Sequence, residues 1–344
     1  MIFRENFPLV ELNTMRLGGT ARFSVEVSSC DELLLALEFA RERALPFCVL
    51  GAGSNVVAQG DFEGLVILNR IGAFERLDED ALSLRYRIGA GELWDDVVAR
   101  LVAAGLSGVE AMSGIPGYAG ATPVQNVGAY GQEIADVLVE LEAYDVLSGE
   151  FVRLSAQHCG FAYRDSLFKG LKTRRHIITS LVLELSKEAP KPPFYPALAL
   201  YLEERGIVGP DAACIREAVL DLRSEKLPDP KIVPNAGSFF KNPIVDCETA
   251  GQLLALFPAA PHWEMPAERV KLAAGWLIEQ AGLKSFQAHG FQVYPKNALV
   301  VTHIGGNPND AIESFVALVV AAVQEAFGIT LEQEPEPLLP TMSS

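Results

Sequence analysis

Between residues 21 and 27 apolar and polar positions alternate, Ala21-Arg22-Phe23-Ser24-Val25-Glu26-Val27, the period of a half-buried strand. From Asp31 the spacing changes to Leu34, Leu37 and Ala40, which predicts a helix reaching Arg43 with Asp31 as its cap. Phe47–Leu50 and residues 65–68 are short unbroken apolar runs, and with that helix they make a small β-α-β unit. A strand over 82–87 precedes a helix over 93–104 that Gly105 stops. Strands follow at 137–145, 151–154 and 177–185, with Gly149 turning the first pair. The remainder predicts helices at 197–205, 211–224, 269–281 and 309–327, and strands at 291–294, 299–302 and 329–334. No internal repeat is present, and the mixture reads as an α+β protein in three parts.

Composition narrows the class. The chain has 344 residues, 49% of them hydrophobic, enough for two or three domains with a sizeable core. The longest apolar run, 315–323, is too short to span a bilayer, and the first residues lack the charged start and apolar block of a signal peptide. A cytoplasmic protein without membrane insertion is the expectation. Formal charge is −16 with no basic block, which argues against nucleic acid or an anionic membrane as partner. An anionic ligand would therefore depend on a few local arginines and lysines. Cys30, Cys48, Cys159, Cys214 and Cys247 are far apart and form no CxxC pair, so they read as reduced thiols. The five histidines show no ligand spacing, and no metal site is expected.

Three stretches are candidates for chemistry. Asn235-Ala236-Gly237-Ser238-Phe239-Phe240-Lys241-Asn242 lies between Pro234 and Pro243, which restrict the loop. Gly237 permits a sharp approach to Ser238, and the two phenylalanines can bury one side so that the hydroxyl faces a cavity. Read alone, the loop is equally a rigid interdomain turn that contains a serine. Leu50-Gly51-Ala52-Gly53-Ser54-Asn55 lacks the third glycine and following helix of a dinucleotide fingerprint, yet such a loop of N–H groups can cradle a diphosphate. The alternative is a plain strand-exit turn. The second glycine-rich stretch runs from Gly114-Ile115-Pro116-Gly117 through Gly120 to Gln125-Asn126-Val127-Gly128-Ala129-Tyr130-Gly131. Two such loops with few charges suit an extended cofactor with a phosphate middle, held through main chain. Arg164, in Tyr163-Arg164-Asp165-Ser166, can grip a carboxylate with its planar fork or pair with Asp165 on the surface. Tyr195 sits in the stiff stretch Pro190-Lys191-Pro192-Pro193-Phe194-Tyr195-Pro196, and Pro228-Asp229-Pro230 marks a second hinge.

Taken in order, Asn13-Thr14-Met15-Arg16-Leu17-Gly18-Gly19, the two glycine-rich loops, Tyr163-Arg164-Asp165-Ser166 and the Ser238 loop resemble the UDP-N-acetylenolpyruvoylglucosamine reductase family. The resemblance runs from near the first residue to Glu334 and rests on no single motif. It implies a two-subdomain FAD-binding module of the vanillyl-alcohol-oxidase-like (PCMH) type plus a C-terminal α+β substrate-binding domain. The corresponding boundaries are 1–70, with 329–344 returning to it, then 71–220 carrying a substrate loop at 190–206, then 221–328. It also implies that NADPH reduces FAD and that a hydride then passes to UDP-N-acetylglucosamine enolpyruvate. The product would be UDP-N-acetylmuramate, a peptidoglycan precursor. Ser238 would donate the proton, Arg164 and Glu334 would partner the substrate carboxylate, and Tyr163, Tyr195, Lys241 and Asn242 would contact the nucleotide-sugar. Gly51, Ala52, Gly53, Ser54, Asn55, Gly114, Ile115, Pro116, Gly117, Gly120, Gln125, Asn126, Gly128 and Ala129 would hold FAD. A monomer is expected. Where the family usually reads Glu-Val-Arg, this chain reads Glu334-Pro335-Glu336. Glu334 is the terminal carboxylate expected, because it keeps the family's Leu-Glu-x-Glu spacing, and a strand there puts Glu332 and Glu334 on one face, so either could reach. The rival readings are another flavin oxidase or dehydrogenase of the same superfamily and a non-catalytic binder of a nucleotide-sugar.

Overall fold

The computed structural model describes residues 1–170, 175–306 and 311–341. Near the start of the chain, four strands form a sheet in the order Arg4–Pro8, Thr20–Val27, Phe62–Asn69, Phe47–Leu50. Its last three strands are parallel, and helix Cys30–Glu42 makes the crossover that parallel pairing requires. The helix cap is Ser29, whose hydroxyl accepts from the Glu32 N–H at 3.2 Å. Asp31, expected as the cap, lies instead in the first turn, where its negative charge is favourable to the positive end of the helix dipole. Val25, Val27, Leu33, Ala36, Ala40, Leu65 and Ile67 are buried between helix and sheet.

The second sheet is antiparallel, in the order Glu150–Ser155, Leu138–Asp145, His176–Ser186, Ser83–Gly89, Phe74–Glu79. Helix Trp94–Ala103 packs on it through Trp94, Val97, Val98 and Leu101, all buried in one core with Leu181 and Leu183. The two sheets are tied together at the Asn69 side chain, which donates to the Ile178 carbonyl at 2.9 Å. Ile177 packs into the core of the first sheet.

A third sheet runs Asn235–Ser238, Val300–His303, Phe291–Val293, Gln287–Ala288, covered by helix Ala311–Phe327. Beside it lies a three-stranded sheet, Ile244–Asp246, Arg269–Leu272, His262–Met265. The helix expected over 269–281 is therefore shorter. Val270 and Leu272 are both buried with Lys271 between them, a period of two, and only Ala274–Gln280 is helical. Asn309 and Asp310, the start of the helix expected over 309–327, lie outside the described residues, as do residues 342–344 of the tail. The strand expected over 329–334 reduces to one bridge, Gln333 to Phe240. Pro335 has no N–H to continue a ladder, and the chain next pairs at Glu336–Pro337, parallel to Val56–Val57 of the first glycine-rich region.

Candidate active site

A cavity of about 350 Å³ opens where the three sheets meet. One wall is the loop Gly51–Asn55, which leaves strand Phe47–Leu50 and enters the two-residue strand Val56–Val57 with no helix behind it. Gly53 adopts φ +60°, and a Cβ there would lie 2.1 Å from the Leu12 carbonyl oxygen, so only glycine lets the loop press onto the preceding segment. The facing wall is the second glycine-rich stretch, through Ile115, Pro116, Gly117, Gly120, Gln125 and Gly128. The walls are latched to each other. Ser54 donates its hydroxyl to the Pro116 carbonyl at 3.0 Å, and the Asn55 amide donates to the Gln125 side chain at 2.6 Å.

Not every expected cofactor residue faces the cavity. Asn126 is buried behind the wall, donating to Glu133 at 2.7 Å and to the Ala162 carbonyl at 3.2 Å, so it holds the loop's shape. Ala129 pairs with Gln132 in the hairpin next to it. Gly114 stands behind Arg223, accepting from its guanidinium at 3.1 Å.

The chemistry-bearing side chains gather at one end. Gly237 has φ +71° with open space where a Cβ would stand, and its N–H is held by the Asn235 side chain at 2.8 Å. Ser238 follows, facing the cavity. Phe239 and Phe240 behind it are fully buried, their rings edge to face at 5.4 Å. The closing segment of the chain lies alongside this corner. The Glu334 N–H donates to the Phe239 carbonyl at 2.9 Å, and the Lys241 N–H to the Glu332 carbonyl at 2.9 Å. These bonds bring Glu334 into the lining next to Ser238.

The two candidate terminal carboxylates do not share a face. The Glu332 side chain is 74% exposed, 3.2 Å from Lys241, whereas Glu334 is 8% exposed and lies 3.2 Å from the Arg164 guanidinium. Because the segment is not a regular strand, the two-residue period does not apply to it. Burial pushes the Glu334 carboxyl above its usual range, with Arg164, Lys169 and Lys241 pulling the other way. Arg164 also donates to the Gly128 carbonyl at 2.8 Å, which joins this end to the second loop.

The expected substrate residues form a rim outside the lining. The Tyr163 hydroxyl accepts from the Asn242 N–H at 3.4 Å, and its ring lies between Arg164, 5.3 Å away, and the Lys271 ammonium, 4.7 Å away. Burial lifts the Tyr163 phenol, and burial with the nearby Arg164 charge lowers Lys271. The Asn242 side chain accepts from the Ala274 N–H at 2.9 Å. Tyr195 is partly exposed at the start of helix Pro196–Glu204, edge to face with Tyr130 at 5.7 Å. In a chain of strong negative charge, Arg164, Lys169, Lys241 and Lys271 make a local basic cluster.

Sequence reasoning missed three lining residues. Arg223 reaches the cavity from helix Ala212–Lys226, and burial lowers its pKa. Lys169 donates to the Arg164 carbonyl at 3.1 Å. His176 opens strand His176–Ser186, and its Nδ1 is buried with no hydrogen-bond partner among the described residues. None carries a local motif, since each is a single polar residue in an ordinary element. An orphaned imidazole nitrogen in the lining, two uncharged glycine loops and open space at Gly237 fit an elongated cofactor with polar atoms along its length. Among the described residues there is no cluster of metal-ligating side chains and no helix long and apolar enough to cross a membrane. Cys30, Cys159, Cys214 and Cys247 are free thiols, and burial pushes the Cys159 thiol up to about 11.

This architecture is shared with known proteins. The family described as FAD binding domain matches residues 21–155. The structure of the enolpyruvylglucosamine reductase from Thermus caldophilus superposes with a TM-score of 0.66 at 24% identity, covering 98% of this chain and 99% of that one. A 6-hydroxy-D-nicotine oxidase from Arthrobacter nicotinovorans gives 0.53 at 14%, covering 96% and 86%. Fold and cavity thus define an FAD-binding flavoprotein of the vanillyl-alcohol-oxidase-like type with an additional α+β domain. The description UDP-N-acetylenolpyruvoylglucosamine reductase, C-terminal domain, matches residues 229–338. Curated reductases of that name are 43% identical in Ralstonia nicotianae, over 96% of this chain and 97% of the relative, and 41% identical in Shewanella baltica, over 95% and 94%. The chain belongs to the UDP-N-acetylenolpyruvoylglucosamine reductase family and is an FAD-dependent oxidoreductase of peptidoglycan precursor synthesis.

Proposed function

We propose that the chain reduces the enolpyruvyl group of UDP-N-acetylglucosamine enolpyruvate to give UDP-N-acetylmuramate, with NADPH as the source of electrons and Ser238 as the proton donor. The observation that carries this reading is the convergence of Ser238, Glu334 and Arg164 at one end of the cavity, from three segments distant in sequence. FAD, when bound, would supply the hydride chemistry that links NADPH to the terminal enolpyruvyl carbon. Gly51, Ala52, Gly53, Ser54 and Asn55 with Ile115, Pro116, Gly117, Gly120, Gln125 and Gly128 hold it, largely through main chain, and Gly114, Asn126 and Ala129 support that wall.

Arg164 binds the substrate carboxylate. Electron density arriving on the neighbouring carbon spreads into that carboxylate, so the guanidinium gains most as charge develops, and that preference accelerates a step. Glu334 orients Arg164 from the other side. Ser238 delivers the proton to the carbon next to the carboxylate; its hydroxyl is a poor acid in water but is opposed here by a strongly basic carbon. Tyr163, Tyr195, Lys241 and Asn242 hold the nucleotide-sugar, whose diphosphate meets Lys241 and Lys271 at the rim. In this reading 1–70 with the tail and 71–220 form the cofactor module, 221–328 is the substrate domain, and 190–206 is a substrate loop. One chain makes a complete site, so a monomer suffices, and the use of NADPH places the reaction in the bacterial cytoplasm.

Anaerobic stopped-flow absorbance of the bound flavin tests the assignment. NADPH bleaches the flavin, and the enolpyruvyl sugar nucleotide restores its colour. Ser238→Ala leaves bleaching intact and slows recovery by about 10²- to 10⁴-fold. Equal slowing of both half-reactions removes Ser238 from the proton-donor role.

A further inference from the structure

Glu336 places a second carboxylate in the lining, two residues beyond Glu334. Its Oε1 accepts from the Gly170 N–H at 3.2 Å, which ties the closing segment to the turn that follows Arg164. Lys169 occupies that turn. Its ammonium donates to the Arg164 carbonyl at 3.1 Å, and its N–H donates to the Ser166 carbonyl at 3.2 Å. Ser166 is itself anchored to the second glycine loop through the Val124 carbonyl at 2.6 Å.

Arg164 needs this support, because it sits at φ +53°, in the left-handed region, which strains a non-glycine residue unless its surroundings fix it. We propose that Lys169 is a positioning residue, holding the Arg164 backbone in that conformation so that the guanidinium stays between Glu334 and Gly128, and offsetting the second carboxylate this chain places at Glu336. A lysine serves here because its compact, many-donor head reaches a carbonyl and faces the carboxylates of Glu336, Glu334 and Asp165 at once. The groups facing Glu334 are Arg164, Lys169 and Lys241 as cations and Tyr163 as a neutral phenol, with Glu336 two residues on. Among the described residues, loss of Lys169 therefore removes one of three cations that face Glu334. The catalytic part of this role rests on the proposed reaction, but the electrostatic part does not.

The test compares Lys169→Met and Lys169→Arg in the full chain by two measurements. In carboxyl ¹³C NMR of the cofactor-loaded protein, Lys169→Met raises the Glu334 midpoint by about one pH unit, and Lys169→Arg leaves it within about 0.3. In stopped flow, Lys169→Met slows flavin recovery by the enolpyruvyl nucleotide about 10- to 100-fold with substrate Kd within about threefold and reduction by NADPH unchanged, and Lys169→Arg restores most of the rate. An unmoved Glu334 midpoint or an unslowed recovery in Lys169→Met overturns the proposal, and so does a rise in Kd that accounts for the whole loss. If the unsubstituted protein fails to recover colour with that nucleotide, the reaction assignment falls, and the Glu334 titration alone still decides the role of Lys169.

Discussion

The two ends of the cavity are built on opposite principles. At the cofactor loops, the wall is made of main chain and small residues, and its contacts link stretches such as Ser54 and Pro116 that are each compact in sequence. At the Ser238 end, the wall is made of charged and hydroxylic side chains drawn from positions 164, 169, 238 and 334. A loop that binds through N–H groups needs only the right backbone angles, which glycine placement sets locally. A cluster that must steer charge needs side chains at fixed separations in a desolvated pocket, and only tertiary packing supplies those.

Four substitutions sharpen this contrast, taken from the largest expected effect to the smallest. Arg164→Lys strikes the side-chain end: the fork to Glu334 and Gly128 is lost, and flavin recovery by substrate slows about 10²- to 10³-fold while FAD remains bound. Near-normal recovery in that variant takes Arg164 out of the chemistry. Gly53→Val strikes the backbone end by combining a left-handed φ with a 2.1 Å clash on Leu12. It weakens FAD binding at least about tenfold by fluorescence titration, and retained affinity would show that the loop bends freely. Ser54→Ala removes the latch to Pro116, worth about 1 kcal/mol, so FAD affinity falls about fivefold and the turnover of saturated enzyme holds.

The smallest effect concerns pH. Burial raises the Glu334 pKa in the folded state, so the folded chain holds that proton more tightly than the unfolded chain does. Stability from this residue is full below the ordinary glutamate range and is lost as pH rises through the raised value. Glu334→Gln should flatten that decline in urea denaturation followed between about pH 4 and 7; an unchanged slope would mean the carboxyl is not raised.

Much of the fold was legible because its signals are local. The strand Phe47–Leu50 shows as an apolar run, and the helix Ala212–Lys226 is announced by Asp211, whose side chain accepts from the Cys214 N–H at 2.8 Å. The reading failed where neighbours decide. Arg269–Leu272 has helix formers around it, yet two flanking strands recruit it into a sheet. The site followed the same division. Gly51 to Asn55 and the Ser238 loop stood out as motifs, whereas Arg223, Lys169 and His176 are ordinary residues until the fold turns them inward.

The order of motifs along the chain determined the family, the two glycine loops and the serine corner, because each depends on backbone angles and residue types within about ten positions. Which glutamate enters the cavity was decided only in three dimensions. Motif spacing favours Glu334 but a strand would put Glu332 on the same face, and the hydrogen bonds to Phe239 and Lys241 turn one toward Arg164 and leave the other in water. Period along a chain says which residues share a face only when the chain is regular, and here a proline and a partner segment impose the geometry instead.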